Sequence, residues 1–422
     1  MLWSKFPLTL NRRRFQNFNK IKSLRRFSCI KRLEISNGMR DAELIQVMNF
    51  IRSHPEMKHL TMASCEPDSV RETFAETLAT LETIALVRGG FDKHLMSLLF
   101  NKMMEDTNIK KFALGNQGPA YIDPRLFAMS LNKIEEVELA WTRTSHLHIE
   151  EFFSMMNKST TNIKKFSWHG FPEELTSLNP VVFGQSLSKL NSCSLHYLGY
   201  SCDESVHEGM DELFKCCSRK TNLKELRLID TGVQSVDPII FADVVNKIEK
   251  VTLIHTKLSE LQQTKMLEVL ASGKSKLKVL NLRFNDMSGV NPDTLAEAIN
   301  NLEHVKIPHT DLTIEQAEKV LLRCIEKTSL KRLDIGNNDN IYFVKNIQNI
   351  LESVKTRIGH FRFCKCFMKL SMWNFCTCKN CKVVFCESCE KGANEINGET
   401  CSSCQSKQLG DFNRLQVQLG DI

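Results

Sequence analysis

Apolar residues recur along this chain in a fixed figure. Leu277, Leu280 and Leu282 stand at places 1, 4 and 6 of a short segment, followed by Asn285 and Met287 at places 9 and 11. Twenty-five residues further on, the figure returns as Leu302, Val305, Ile307, Thr310 and Leu312. Places 4 and 6 lie on one side of an extended strand, because strand side chains alternate. A helical segment from Asn291 to Asn301, opened by Pro292, separates the two copies. One such unit cannot cover its own apolar side, and a core forms only when the next copy stacks upon it.

Counted by place 1, the figure begins thirteen times: at Ile30, Met57, Leu81, Ile109, Ile134, Ile163, Leu190, Leu223, Ile248, Leu277, Leu302, Leu330 and Ile358. The steps run from 24 to 33 residues, and shorter and longer steps often alternate. The longest, Leu190 to Leu223, holds Gly199-Tyr200-Ser201-Cys202-Asp203, which reads as a loop insertion. Between the strands, Leu44, Val47, Met48 and Ile51 fall at helical spacing, as do Leu95, Leu98, Leu99 and Met103. Helix starts carry Pro180, Pro292, or Thr313 with Glu315 in the first turn. Place 9 is Asn at Asn285 and Asn338 and elsewhere Cys65, Thr142, Thr231, Thr256 or Thr310, side chains that can hydrogen-bond a loop backbone.

This strand–turn–helix unit resembles the ribonuclease-inhibitor-like class of leucine-rich repeats. The resemblance implies an α/β fold: a leucine-rich-repeat solenoid, a horseshoe with a parallel inner sheet and outer helices, over residues 29–368. It also implies binding of another macromolecule on the concave face, without naming the partner.

Within that register, places 7 and 8 line or rim the inner side with Trp141, His169, Tyr197, His255, Phe284 and His309. Aromatic and imidazole side chains bury area at low entropy cost and are enriched where proteins meet. Place 3 adds Glu136, Lys165, Glu225, Lys250, His304 and Arg332, a band of both signs. A nucleic-acid surface needs one sign, so the expected partner is a protein, with no nucleic acid and no membrane, and the chain is expected to be a monomer. Place 2, often Lys or Glu from Lys31 to Lys331, reads as a solvated row of weak pairs.

The composition is that of a soluble globular chain, 42% hydrophobic and 25% charged over 422 residues. No run of 18 apolar residues suggests a membrane span, and no apolar secretory stretch opens the chain. The net charge of +7 is local: the first 33 residues hold ten basic residues and no acid, and subtracting those ten leaves −3 for the rest. Residues 1–28 therefore read as a basic lead-in or as a mitochondrial presequence ending near Arg25-Arg26-Phe27-Ser28. The expected compartment is the cytoplasm, with the mitochondrion as the alternative.

Nine of sixteen cysteines lie between Cys364 and Cys404. Cys376, Cys378, Cys381, Cys386, Cys389, Cys401 and Cys404 include three C-x-x-C pairs, and two such pairs complete a four-thiolate zinc site. Cys386/Cys389 with Cys401/Cys404 is one pairing; Cys378/Cys381 with Cys401/Cys404 is another, and Cys364, Cys366 or Cys376 can complete a second site. Cys366 also falls at place 9 of the last repeat. Residues 369–408 are thus expected to hold one or two structural Zn2+ ions, followed by a tail at 409–422. The C-x-x-C-x4-C-x-x-C core resembles in-between-RING zinc folds of ubiquitin ligases, though no His follows Cys389 where that pattern has one. No phosphate loop, Gly-x-Ser-x-Gly turn or His-Glu-x-x-His occurs. The expectation is a non-enzymatic, protein-binding scaffold. The alternatives are a substrate-recruiting ubiquitin ligase and the sensor fragment of an NLR-type immune receptor.

Overall fold

The structure is a computed structural model that describes most of residues 31–362, with the strand residues 8–11, 375–377, 384–386 and 413–415; segments such as 12–30, 171–177, 199–203, 339–346, 363–374 and 387–412 lie outside the description. The chain divides into two compact units, Met1–Leu223 and Lys224–Ile422.

The first unit alternates strand and helix: β1 (Leu8–Asn11), β2 (Arg32–Ser36), α1 (Asp41–Ser53), β3 (His59–Ala63), α2 (Arg71–Ala79), β4 (Thr83–Val87), α3 (Lys93–Met104), β5 (Lys111–Gly115), α4 (Pro124–Leu131), β6 (Glu136–Ala140), α5 (His146–Lys158), β7 (Lys165–His169), α6 (Pro180–Ser188), β8 (Ser192–His196) and α7 (Glu204–Arg219). The second continues with β9 (Glu225–Ile229), α8 (Pro238–Lys247), β10 (Lys250–Ile254), α9 (Glu260–Ala271), β11 (Val279–Asn281), α10 (Pro292–Asn300), β12 (His304–Lys306), α11 (Ile314–Glu326), β13 (Arg332–Asp334), α12 (Ile347–Arg357) and β14 (His360–Arg362).

From β1 to β8 and from β9 to β14 every strand pairs in parallel with the next, and equivalent places stand opposite one another: Val137 pairs with Phe166, which pairs with Cys193, and Val251 with Leu280, which pairs with Val305. Strands β2 to β14 are the thirteen copies read from the sequence. The fold is an α/β leucine-rich-repeat solenoid. Strand β1 is a finding beyond the thirteen: Leu8 pairs with Leu33, so part of the segment expected to be a lead-in belongs to the sheet.

Two helix starts alternate. Helices α4, α6, α8 and α10 begin with Pro behind an Asp or Asn cap, at Asp123, Asn179, Asp237 and Asn291. Pro presets the first helical φ and lacks an N–H that would be orphaned there. Helices α9 and α11 begin with Ser259 and Thr313, whose side chains accept the N–H of Gln262 and Gln316 three residues on, while each Gln reaches back. The same glutamines donate to carbonyls one repeat earlier, Gln262 to Val233 and Val236 and Gln316 to Met287 and Val290. In α5, Ser145 Oγ lies 2.6 Å from His148 Nδ1 of the same first turn, and His148 Nε2 lies 3.0 Å from the Ile122 carbonyl one repeat earlier. This two-repeat period is the physical content of the alternating step lengths.

Places 4 and 6 are the core. Strands β3, β4 and β6 alternate half-exposed and buried residues. The place 2 row is also as expected. Most place 2 carbonyls accept two N–H groups from the next repeat, as Glu82 O does from Lys110 and Lys111. Its side chains form Lys110–Glu82, Lys164–Glu135 and Lys331–Glu303 pairs at 3.3, 3.2 and 2.5 Å.

Past the repeats, β15 (Phe375–Thr377), β16 (Val384–Cys386) and β17 (Asn413–Leu415) form a three-stranded antiparallel sheet in the order β16-β15-β17. Strand β17 comes from residues expected to be a tail, so the expected boundary at residue 408 falls inside this sheet.

Candidate functional site

Every strand must hand the chain to the helix behind it, and at nine of the described turns the structure does so the same way. The place 8 residue takes a left-handed backbone: Ser64, Arg88, Asn116, Trp141 and Tyr197 in the first unit, and Asp230, His255, Phe284 and His309 in the second, all have φ between 49° and 61°. Its N–H still continues the ladder. Trp141 N donates to His169 O at 2.7 Å, His255 N to Arg283 O at 3.1 Å, and Phe284 N to Pro308 O at 3.3 Å. Left-handed backbone is costly for bulky residues, of order 1 kcal/mol or more each. Five of the six expected contact residues therefore stand on a turn at the strand ends, a rim and not the strand face; His169 alone is a strand residue, the last of β7.

In the first unit the rim gathers Trp141, His169, His196 and Tyr197. The Trp141 and Tyr197 rings lie 4.9 Å apart although a whole repeat separates them. The intervening place 8 is Gly170, which has no side chain to fill the gap; a Cβ there would meet the Trp168 indole at 2.6 Å. His169 and His196 stack at 3.8 Å, and Ser194 Oγ lies 2.7 Å from His196 Nε2. Tyr197 is 37% exposed. His196 was absent from the expected set, though its signal was available: it is place 7 of the repeat that carries Tyr197.

In the second unit, Phe284 stacks on His309 at 4.6 Å with planes 23° apart, and the Arg283 guanidinium lies 4.6 Å from the Phe284 ring centre. His255 Nδ1 sits 2.7 Å from the Asp230 carboxylate, again place 8 to place 8. So Phe284 joins His309, while His255 pairs with an acid. Arg283, at place 7, was also missed.

The tail cysteines are placed only in part. Cys376 is the middle of β15 and Cys386 the end of β16, in the register Cys376↔Phe385 and Phe375↔Cys386, one step apart on adjoining strands. Cys364, Cys378, Cys381, Cys389, Cys401 and Cys404, with Cys366, lie outside the described residues. Buried thiols within the repeats are packing groups: burial pushes Cys65 up to about 11 and Cys324 up to about 12, so both stay protonated at neutral pH. An open depression of about 400 Å³ near the carboxyl ends of α5, α6 and α7 is lined by Lys189, Arg219, Lys220 and Cys216. Burial and Glu212 raise the Cys216 thiol as well, which opposes a nucleophilic role. Among the described residues, no helix is long and apolar enough to cross a membrane.

Each unit thus carries its own rim of rings and charges at the strand ends of a leucine-rich-repeat fold. No family model matches the chain, and no curated protein matches it. Among solved structures it is similar to one titled as the crystal structure of a TLR13–ssRNA13 complex, at 11% identity and a TM-score of 0.43, over 80% of this chain and 50% of that one. The chain thus spans about half the length of that neighbour. The solenoid assignment rests on the repeat registers and not on this likeness.

Proposed function

We propose that the protein is a non-enzymatic scaffold that binds another protein through the rim at the strand ends. One observation carries this reading. Large rings occupy a left-handed backbone position at Trp141, Tyr197 and Phe284, where Gly or Asn would be less strained, and they add nothing to the buried core. Their stacking holds them half-exposed and preorganised, which reduces the entropy lost on contact. The compartment that fits free, protonated thiols is a reducing one, in keeping with a cytoplasmic protein.

The rim is tested by Ala at Trp141, Tyr197 and Phe284 together. Partner capture from native cells is expected to be lost while the melting curve stays cooperative. Capture equal to that of the unaltered chain would remove the reading.

For the tail we propose structural zinc held by Cys378, Cys381, Cys386, Cys389, Cys401 and Cys404, with Cys376 or Cys364 completing a second site. The donor set supports it: thiolates in C-x-x-C pairs suit tetrahedral zinc, and strands of three residues have too little core to be stable alone. Metal analysis of the purified chain is expected to give one to two zinc ions per chain (about 1–2); none would discard this part.

A further inference from the structure

On the edge of the first unit away from its rim, where helices end and strands begin, lies the open depression of about 400 Å³. The carboxyl ends of α5 at Lys158, α6 at Ser188 and α7 at Arg219 meet around it. Its walls are braced by side chains from successive repeats. The Lys189 ammonium donates to the Asn157 carbonyl at 2.7 Å and to the Asn157 side-chain oxygen at 2.9 Å. Asn157 Nδ2 donates to Gln185 Oε1 at 2.8 Å, and Asn222 Nδ2 to the Lys189 carbonyl at 3.4 Å. The amide oxygens of Asn157 and Gln185 are thus engaged, and the polar groups left over on the walls are N–H donors.

Lys189, Arg219 and Lys220 line the depression, and no carboxylate does. A cation at a helix carboxyl end is ordinary, and Lys189 is one, tied to the end of α5. Arg219 and Lys220 are a second matter. Both are exposed, and among the described residues no hydrogen bond or ion pair engages either side chain. The acid one turn before Cys216, Glu212, is held by Lys215 at 2.8 Å, and Asp211 also acts on Lys215. The Cys216 thiol is raised by burial and by Glu212, so it stays neutral and adds no negative charge. Three helix carboxyl ends contribute roughly −0.5 charge each, about −1.5 together, and the three cations outweigh them to leave about +1.5.

We propose that this depression binds a phosphate monoester. Such a group carries about −1.5 to −2 charge and three acceptor oxygens, which matches two uncommitted cations and a donor-rich wall. A carboxylate brings one charge and two oxygens, and a single guanidinium satisfies it. The Arg219 guanidinium takes two phosphate oxygens as a fork, and the Lys220 ammonium takes the remaining charge. The phosphate occupies only part of the volume, and the rest admits the carbon skeleton that carries it. That carrier is a free small molecule or a phosphorylated side chain of a partner protein. The site lies apart from the rim, so it stands or falls independently of the rim's role.

The test is isothermal titration calorimetry of the full chain with glycerol 3-phosphate and with a phosphoserine tetrapeptide. Glycerol and the same peptide carrying Ser or Glu are the comparisons. At least one ester is expected to saturate a single site, with no binding of glycerol or the Ser peptide and at least tenfold weaker binding of the Glu peptide. Arg219→Gln with Lys220→Gln should weaken the ester at least tenfold, about 1.4 kcal/mol, while a melting curve shows that the double variant folds. Lys20→Gln with Lys22→Gln removes the same charge from the basic segment before β2 and should leave binding as it was. Binding of the peptide alone assigns the carrier to a phosphorylated partner, binding of glycerol 3-phosphate alone to a free small molecule, and binding of both to the phosphate itself; each supports the proposal. It is overturned if neither ester saturates, if the Glu peptide binds as tightly as the phosphoserine peptide, if the Arg219 and Lys220 variant binds as before, or if both double variants weaken binding equally.

Discussion

The two units build the same repeat from different interiors. In the first, Phe rings run from one repeat to the next: Phe100 meets Phe112 and Phe127 at 5.8 and 5.5 Å, and Phe153 meets Phe152, Phe166 and Phe183 at 5.3, 5.6 and 5.2 Å, several of them edge-to-face. In the second, the interior is chiefly aliphatic and the turns are tied by a polar ladder. Asn285 Oδ1 accepts from the N–H and hydroxyl of Thr256, and its Nδ2 donates to Leu253 and Leu282 carbonyls. Asn338 treats Thr310, Ile307 and Ile335 in the same way. In the first unit, the equivalent Thr142 hydroxyl is buried without a partner among the described residues. One fold therefore tolerates two ways of holding a turn: aromatic volume beneath it, or an amide bridging adjacent repeats.

That contrast can be broken. The largest effect is expected from Phe153→Ala, which empties a fully buried site touched by four other rings and should cost about 3–5 kcal/mol, read by chemical denaturation. Asn285→Ala should follow at about 2–4 kcal/mol, because it strands a buried N–H and two carbonyls. If instead Asn285→Ala is nearly silent, the ladder is not what ties the second unit.

A finer cut compares two threonines at the same place. Thr256→Val should cost about 1–2 kcal/mol by removing a bonded hydroxyl, whereas Thr142→Val should be neutral or slightly stabilising because its hydroxyl is already unpaired. Equal losses at both would erase the distinction. Smaller again is the strain of the rim. Arg88→Gly should raise stability by up to about 1 kcal/mol, since Gly adopts positive φ without penalty; a clear loss would show that the turn is unstrained.

The smallest effect concerns the charged row. The Lys331 ammonium holds the exposed Glu303 carboxyl below its ordinary 4.5. Its contribution is present above that value and fades as pH falls through the lowered one. Lys331→Gln should therefore lower stability slightly at neutral pH and make no difference once pH has fallen through the lowered value, so the acid limb of the stability curve flattens.

The fold was legible because burial imposes a period. Apolar residues at places 4 and 6 register thirteen strands without any contact being known, and the Thr and Asn at place 9 announce the ladder. The rim was legible only in part. Sequence spacing located Trp141, Tyr197 and Phe284 and left open whether they line or rim the inner side, since a left-handed residue leaves no signature when it is Trp or Phe rather than Gly. Which rings meet depends on what stands between them: nothing at Gly170, so Trp141 reaches Tyr197, and an acid at Asp230, so His255 turns to it. The strand at Leu8–Asn11 was hidden because its surroundings are basic, and charge read more loudly than its Leu-x-Leu alternation.

Whether the rim is the place of contact is read most directly by hydrogen–deuterium exchange of the full chain with and without its captured partner. Slowed exchange is expected at the turns that follow the strands, around residues 141–142, 197–198, 284–285 and 309–310, while the helices opposite exchange as before. Protection confined to the helices, with those turns unchanged, would contradict it.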